Sequence, residues 1–149
     1  MHHHPTLVRV HDPALMEPIF SLRSRVFVEE QKVDPLLEFD EFEELAQHWA
    51  AMVDGKVVAC ARYRRTPHGY KIERMAVEST HRQQGLGRAL LQAVLEELMP
   101  LTERDGCPVY LHAQVQALPF YTKLGFVTDG DEFQEAEIAH YRCLYQGRC

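Results

Sequence analysis

"ERMAVESTHRQQGLGRALLQAV", residues 73–94, decides how this chain is read. It opens as a strand, passes through a turn with two glycines one residue apart, Gly85 and Gly87, and continues as a long helix. Leu86, Ala89, Leu90, Ala93, Val94 and Leu98 mark one apolar helical face, expected to stop near Pro100. Glycine inside a helix costs about 1 kcal/mol against alanine, so two at a helix start need a reason. The first N–H groups of a helix have no internal partner and sit at the positive end of its dipole. A phosphate satisfies them where the backbone is approachable. Gly85 and Gly87 would clear that approach, and Arg82 and Arg88 would add charge-assisted contacts. The alternative is a helix start whose glycines pack closely on a sheet. A Walker A loop is absent, and a dinucleotide fingerprint fails because position 90 is Leu. What remains is R-x-x-G-x-G at Arg82–Gly87, compatible with either reading.

Upstream, "TLVRVHD" (residues 6–12) reads as a strand. A helix follows, with Asp12 as N-cap, Pro13 at its first position and Leu15, Ile19, Leu22 and Val26 on one face. "LLEFDEFEE" is expected to be an acidic loop. From His48 to Glu78 three antiparallel strands are expected, the first two joined at Asp54-Gly55. Downstream, "PVYLHA" is a buried-type strand and "ALPFYTKLG" a short helix capped by Gly125; "FVTDG" and "AEIAHYRCLY" are two closing strands. The order βαβββαβαββ predicts a mixed α/β (α+β) fold, helices packed on a mainly antiparallel twisted sheet.

The 149 residues suit a single domain, 1–149. Composition is ordinary for a globular chain, with 46% apolar and 26% charged residues. No apolar run is long enough for a membrane span. The N-terminus lacks a charged stretch followed by an apolar one, so no export signal is expected and the default location is cytoplasmic. The net charge of −6 argues against a nucleic-acid partner. Cys60, Cys107, Cys143 and Cys149 form no C-x-x-C pair and read as reduced thiols, with no metal site.

A second segment joins the first. "QVQALPFYTKLGF" (114–126) follows R-x-x-G-x-G after one intervening strand. Together the two resemble the acyl-CoA-binding pattern of the GCN5-related N-acetyltransferases, whose second half reads N-x-x-A-x-x-(L/F)-Y-x-x-x-G-F. Ala117, Phe120, Tyr121, Gly125 and Phe126 fit; Gln114 replaces Asn. "RSRVFVEEQKVD", "EFDEFEELAQHW" and "GDEFQEAEIAHYRC" further resemble the ElaA/YjcF-type branch, so the resemblance covers nearly the whole chain.

The resemblance implies an acetyl-CoA-dependent N-acetyltransferase acting on a primary amine of a small molecule or peptide, by direct attack in a ternary complex. A homodimer is compatible with it. The pyrophosphate would lie on Arg82, Gln83, Gln84, Gly85, Leu86, Gly87 and Arg88. The pantetheine arm would pair with Met75, Ala76 and Val77, near Gln114, and a backbone N–H near Val77 would face the oxyanion; Met75 and Val77 are equally read as sheet core. Tyr121 is the expected general acid for the leaving thiolate, or a core tyrosine. Glu73 is the leading candidate base, with His112 and His140 behind it. Glu30 and Asp40 come from the acceptor-side segments. The acidic loop from Glu38 to Glu44 reads either as a cleft that attracts a cationic amine or as a solvated surface, with Phe39 and Phe42 folding it back onto the body. A non-catalytic acyl-CoA sensor is the alternative to an enzyme.

Overall fold

The computed structural model describes residues 4–147; Cys149, read above as a reduced thiol, lies outside them. One sheet organises the chain. Its strands are β1 (Thr6–Arg9), β2 (Gln47–Val53), β3 (Lys56–Thr66), β4 (Gly69–Val77), β5 (Val109–Gln114), β6 (Phe126–Thr128), β7 (Phe133–Glu135) and β8 (Ile138–Tyr145). They lie in the order β1-β2-β3-β4-β5-β8-β6, with β7 also on β8. Every pairing is antiparallel except β4 with β5.

Helices cover both faces. Asp12 caps the first through Ala14 N–H, and a 3-10 turn leads into α1 (Met16–Arg23). The helix then widens into a π turn over Ser24–Glu30. Ile19, Leu22 and Val26 pack on Ala50, Cys60 and Ala76. On the other face α3 (Leu86–Asp105) buries Leu86, Leu90, Leu91, Val94, Leu95 and Leu98 over Ala59, Ala61, Tyr63, Ile72 and Leu111. The short α4 (Leu118–Lys123) lies on this side as well. Alternation along β3 therefore sends Ala59, Ala61 and Tyr63 towards α3, and Cys60, Arg62 and Arg64 towards α1.

Three boundaries differ from the sequence reading. The long helix runs through Pro100 to Asp105 and closes on Gly106. Pro100 and Glu96 are both exposed, so the Glu96 carbonyl that loses its helical donor faces water. The stretch "AEIAHYRCLY" forms the closing strand β8 only from Ile138 onward. Ala136 and Glu137 take φ of 51° and 63°, making a two-residue turn without glycine, and residues before it form β7. The "acidic loop" starts with a single helical turn, α2 (Pro35–Glu38), capped by Asp34.

Gly69 fixes where β4 meets its parallel neighbour. Its φ is 135°, and a Cβ there would lie 2.3 Å from the Pro108 carbonyl oxygen, the atom that accepts Tyr70 N–H at 2.8 Å. Gly69→Ala is expected to destabilise the protein by more than about 1 kcal/mol, read from urea unfolding. An unchanged midpoint would contradict the tight approach.

Candidate active site

β4 and β5 pair over only three residues, Tyr70, Ile72 and Lys71 against Val109, Leu111 and Tyr110, and then part. Beyond that point one edge of β4 has no strand partner. A bulge in β4 adjusts its aim: Cys60 faces Ala76 while Arg62 faces Glu73, leaving Arg74 and Met75 opposite one residue, with Arg74 at φ 57°. Glu78 N–H donates to Val58, so by antiparallel alternation the pair Val77/Ala59 is the non-bonded kind. Val77 thus turns its N–H and C=O away from β3, and its carbonyl accepts Arg82 Nε there at 3.0 Å.

The chain leaves β4 through a 3-10 turn (Ser79–His81) and enters α3 at Gly85, whose φ is 80°. A Cβ on Gly85 would meet nothing within 4 Å, so the space above the helix start is open. No acidic residue occupies the first turn, and Gln83, Gln84 and Arg88 are exposed. Gly87 departs from the expectation that both glycines clear the approach. Its missing Cβ points at Phe120 and Val77, 3.5 and 3.6 Å away, which is the close-packing role. Leu86 is buried in the core beneath. Arg82 is held by Glu30 at 2.9 Å. Glu30 therefore sits at this turn, not among acceptor-side groups as its segment suggested.

Where β4 and β5 diverge lies a cavity of about 390 Å³. Tyr121 lines it from α4, its hydroxyl 3.7 Å from the Met75 sulfur. Burial, then the Cys143 thiol, pushes the phenol up to about 12, so it keeps its proton. Gln114 lines the same space; its amide donates to Gln31 at 2.7 Å and its side-chain oxygen accepts from Gln116 Nε2 at 3.0 Å.

A charge network forms the opposite wall. Arg23 and Arg62 are buried to 1% and 0% exposure. A buried guanidinium without partners is untenable. Arg23 donates to Glu38 at 2.6 Å and to both Glu43 oxygens at 2.8 Å. Arg62 donates to both Asp40 oxygens at 2.9 and 2.7 Å, to Glu43 at 2.8 Å, and to Glu73 through Nε at 2.8 Å and through Nη2. Arg74 adds bonds to Glu38 and Asp40. So the acidic segment is neither an amine-attracting cleft nor a solvated surface. It divides: Glu38, Asp40 and Glu43 turn inward as counter-ions, while Glu41 and Glu44 are exposed. Phe39 packs on Phe20, and Phe42 lies under Arg64, which is the fold-back the aromatic spacing suggested.

Glu73 belongs to this network, which corrects its reading as the base. Burial alone would raise its carboxyl, but Arg62, with Arg64, Lys71 and Arg74, brings it down to about 2. Moving a proton to it from an alkylammonium near 10.4 runs uphill by about 8 units, on the order of 11 kcal/mol. Asp40 is likewise brought to about 2: burial opposes, but Arg62 foremost outweighs it.

His112 and His140 meet at a residue the sequence reading missed. Glu135 Oε1 lies 3.1 Å from His112 Nδ1, and Oε2 lies 3.7 Å from His140 Nε2. The carboxylate can only accept, so Nδ1 of His112 carries a proton, and in the neutral ring Nε2 is the atom with the lone pair. His140 donates Nδ1–H to the Ile138 carbonyl at 2.6 Å. Phe133 stacks on His140 and meets His112 edge-on. Glu135 was hidden because the β7–β8 turn lacks the glycine or asparagine that would have announced a hairpin. Among the described residues no cluster of three or more His, Cys, Asp or Glu is placed to hold a metal, and no helix is long and apolar enough to cross a membrane.

A strand splayed from its parallel neighbour, an open helix start at the end of that strand and a cavity between define an acyl-CoA-type acyltransferase site. Comparison with known proteins agrees. Residues 23–143 match the family described as acetyltransferase (GNAT) domain. YjcF of Bacillus subtilis, described as an uncharacterized N-acetyltransferase, is 35% identical over 130 residues, covering 87% of this chain and 91% of that one. An acyl-CoA N-acyltransferase from Pseudomonas aeruginosa superposes with a TM-score of 0.82 at 30% identity, covering 97% and 99%. ElaA of Escherichia coli shares the fold, with a TM-score of 0.78 at 22% identity over 96% and 99%. The chain belongs to the GNAT acetyltransferase family and is an acyltransferase that uses acyl-CoA.

The network makes the fold acid-sensitive. Asp40 and Glu73 lie at about 2, below ordinary values of 3.8 and 4.5, so the unfolded chain binds the extra protons as pH falls. Their stabilisation is complete above about pH 5 and is lost progressively towards pH 2. Glu38, which burial pushes up, offsets part of this. Urea midpoints measured across that window are expected to fall; a flat profile would contradict the network.

Proposed function

We propose that the protein is an N-acetyltransferase that passes the acetyl group of acetyl-CoA to a primary amine of a small molecule or peptide, by direct attack with both substrates bound. The observation that carries this is the sequence of an open α3 start at Gly85, an unpaired edge of β4 before it, and a cavity beside that strand lined by both Tyr121 and His112. Acyl-CoA supplies an activated acyl carbonyl and a thiol leaving group; everything else falls to residues of the chain.

The α3 N-terminus, with Gln83, Gln84, Gly85 and Arg88, offers N–H groups and positive charge to a pyrophosphate. Met75, Ala76 and Val77 offer a free strand edge to the amides of the pantetheine arm. Val77 N–H is the donor for the developing oxyanion, and losing such a donor costs roughly 3–4 kcal/mol. His112 Nε2, its ring oriented by Glu135, takes the ammonium proton in place of Glu73. Tyr121 serves the departing sulfur. With the phenol at about 12, full transfer to a thiolate near 8.5 is uphill by roughly 5 kcal/mol. Tyr121 therefore acts chiefly by donating a hydrogen bond that strengthens as charge collects on sulfur.

CoA release from acetyl-CoA over a panel of primary amines tests the reading; binding of acetyl-CoA without turnover on any amine would favour a sensor instead. Tyr121→Phe is expected to lower kcat with little change in acetyl-CoA affinity, and an unchanged rate would remove it from the mechanism. His112→Ala is expected to lower kcat by about 100-fold or more at unchanged acetyl-CoA affinity. Gly85→Glu, which sets a carboxylate at the helix start, is expected to weaken acetyl-CoA binding in calorimetry; unchanged affinity in the folded variant would refute the phosphate site.

A further inference from the structure

The cations of the cavity wall are unevenly paired. Arg23, Arg62 and Arg74 are bonded to Glu38, Asp40 and Glu43, and Arg23 and Arg74 to main-chain carbonyls as well. Two further cations face the cavity, Arg64 and Lys71. Both lean on the one remaining carboxylate, Glu73, at 2.8 and 3.2 Å, and that carboxylate also serves Arg62. Five cations thus share four carboxylates. Arg64 spends only Nε on Glu73, rests its guanidinium 3.9 Å over the Phe42 ring, and has no protein partner for its terminal nitrogens among the described residues. A fifth carboxylate, Glu135, lines the cavity and is bonded to His112, and its charge also reaches Lys71.

Arg64 and Lys71 lie close to the proton acceptor. Lys71 is the register partner of Arg64 on one side and of Tyr110 on the other, and His112 is two residues beyond Tyr110. That separates Lys71 from His112 by about 5 Å across the sheet and about 7 Å along it. A simple amine or polyamine entering here leaves the terminal nitrogens of Arg64 without an acceptor. A ligand with an anion next to its amine supplies one.

We propose that the acceptor is a small zwitterion, a free amino acid or a close analogue, whose carboxylate is held by Lys71 and Arg64 while its amine faces His112. The proposal rests on the acyl-transfer reading for its chemistry, but the carboxylate site is a binding property in its own right. Holding a carboxylate by charge-assisted hydrogen bonds is worth about 10- to 100-fold.

Matched triplets decide it: a free amino acid, its carboxamide and the corresponding decarboxylated amine, compared across several side chains. The free acids are expected to exceed the other two in kcat/KM by about 10- to 100-fold. Lys71→Met is expected to remove most of that advantage by raising KM for the acids alone, and Lys71→Arg to restore it; Lys71→Gln provides the same comparison should Lys71→Met not fold. Amides or decarboxylated amines that match the acids, or an advantage that survives loss of Lys71, would overturn the proposal. Calorimetry of the amino acids against CoA-loaded protein reads the site without turnover. Lys71-dependent binding with no transfer to any amine would uphold the carboxylate site and sink acyl transfer. Transfer to amides, with acids neither bound nor used, would do the reverse.

Discussion

The burial of Arg62 is the constraint from which much of this protein follows. A guanidinium at 0% exposure in the middle of a sheet has to be surrounded by acceptors. β3 provides none. Glu73 comes from the neighbouring strand, and Asp40 and Glu43 arrive on a segment far from β3 in sequence. That segment is thereby pinned over one face of the sheet, and its Glu43, with Glu38, also binds Arg23 of α1. The network thus performs two tasks: it replaces an apolar core where the sheet face turns polar, and it sets the roof of the cavity.

The two faces of the sheet divide the work. Towards α3 the side chains are apolar and the helix start is left open at one end. Towards α1 an apolar patch around Cys60 and Ala76 gives way to Arg62, Arg64, Lys71 and Glu73 in adjacent registers. The cavity lies where this charged field meets the histidines of β5 and β8. Splaying β4 from β5 is what lets both sets of groups reach one space. A fully paired parallel sheet would have closed it.

Much of the fold was legible because its signals were local. The glycine turn into α3, the Asp54-Gly55 hairpin and the Asp12-Pro13 helix start are each written in adjacent residues, and their conformations follow from backbone chemistry. The candidate site was legible only in part. The roles of Glu73 and Glu30 depended on partners distant in sequence, Arg62 and Arg82, and no spacing rule connects them. Glu135 was concealed by a turn built from Ala136 and Glu137, residues without turn character. Gly87 looked like a twin of Gly85, yet its neighbours are Phe120 and Val77. Sequence marks where a backbone must bend; it does not say which of several acids meets which arginine.

The pairing of Arg82 with Glu30 carries one more consequence. Both side chains are about two-fifths exposed, and such a pair is worth about 0–1 kcal/mol. Glu30 behaves as a resident counter-ion that another anion can exchange for at little cost. Because Glu30 ends the π turn that continues α1, that exchange would also loosen this end of α1 from the glycine turn, leaving the Arg25–Glu78 pair to hold it. The charge on Arg82 stays compensated throughout, so the turn works as a small ion exchanger with one end of α1 as its tether.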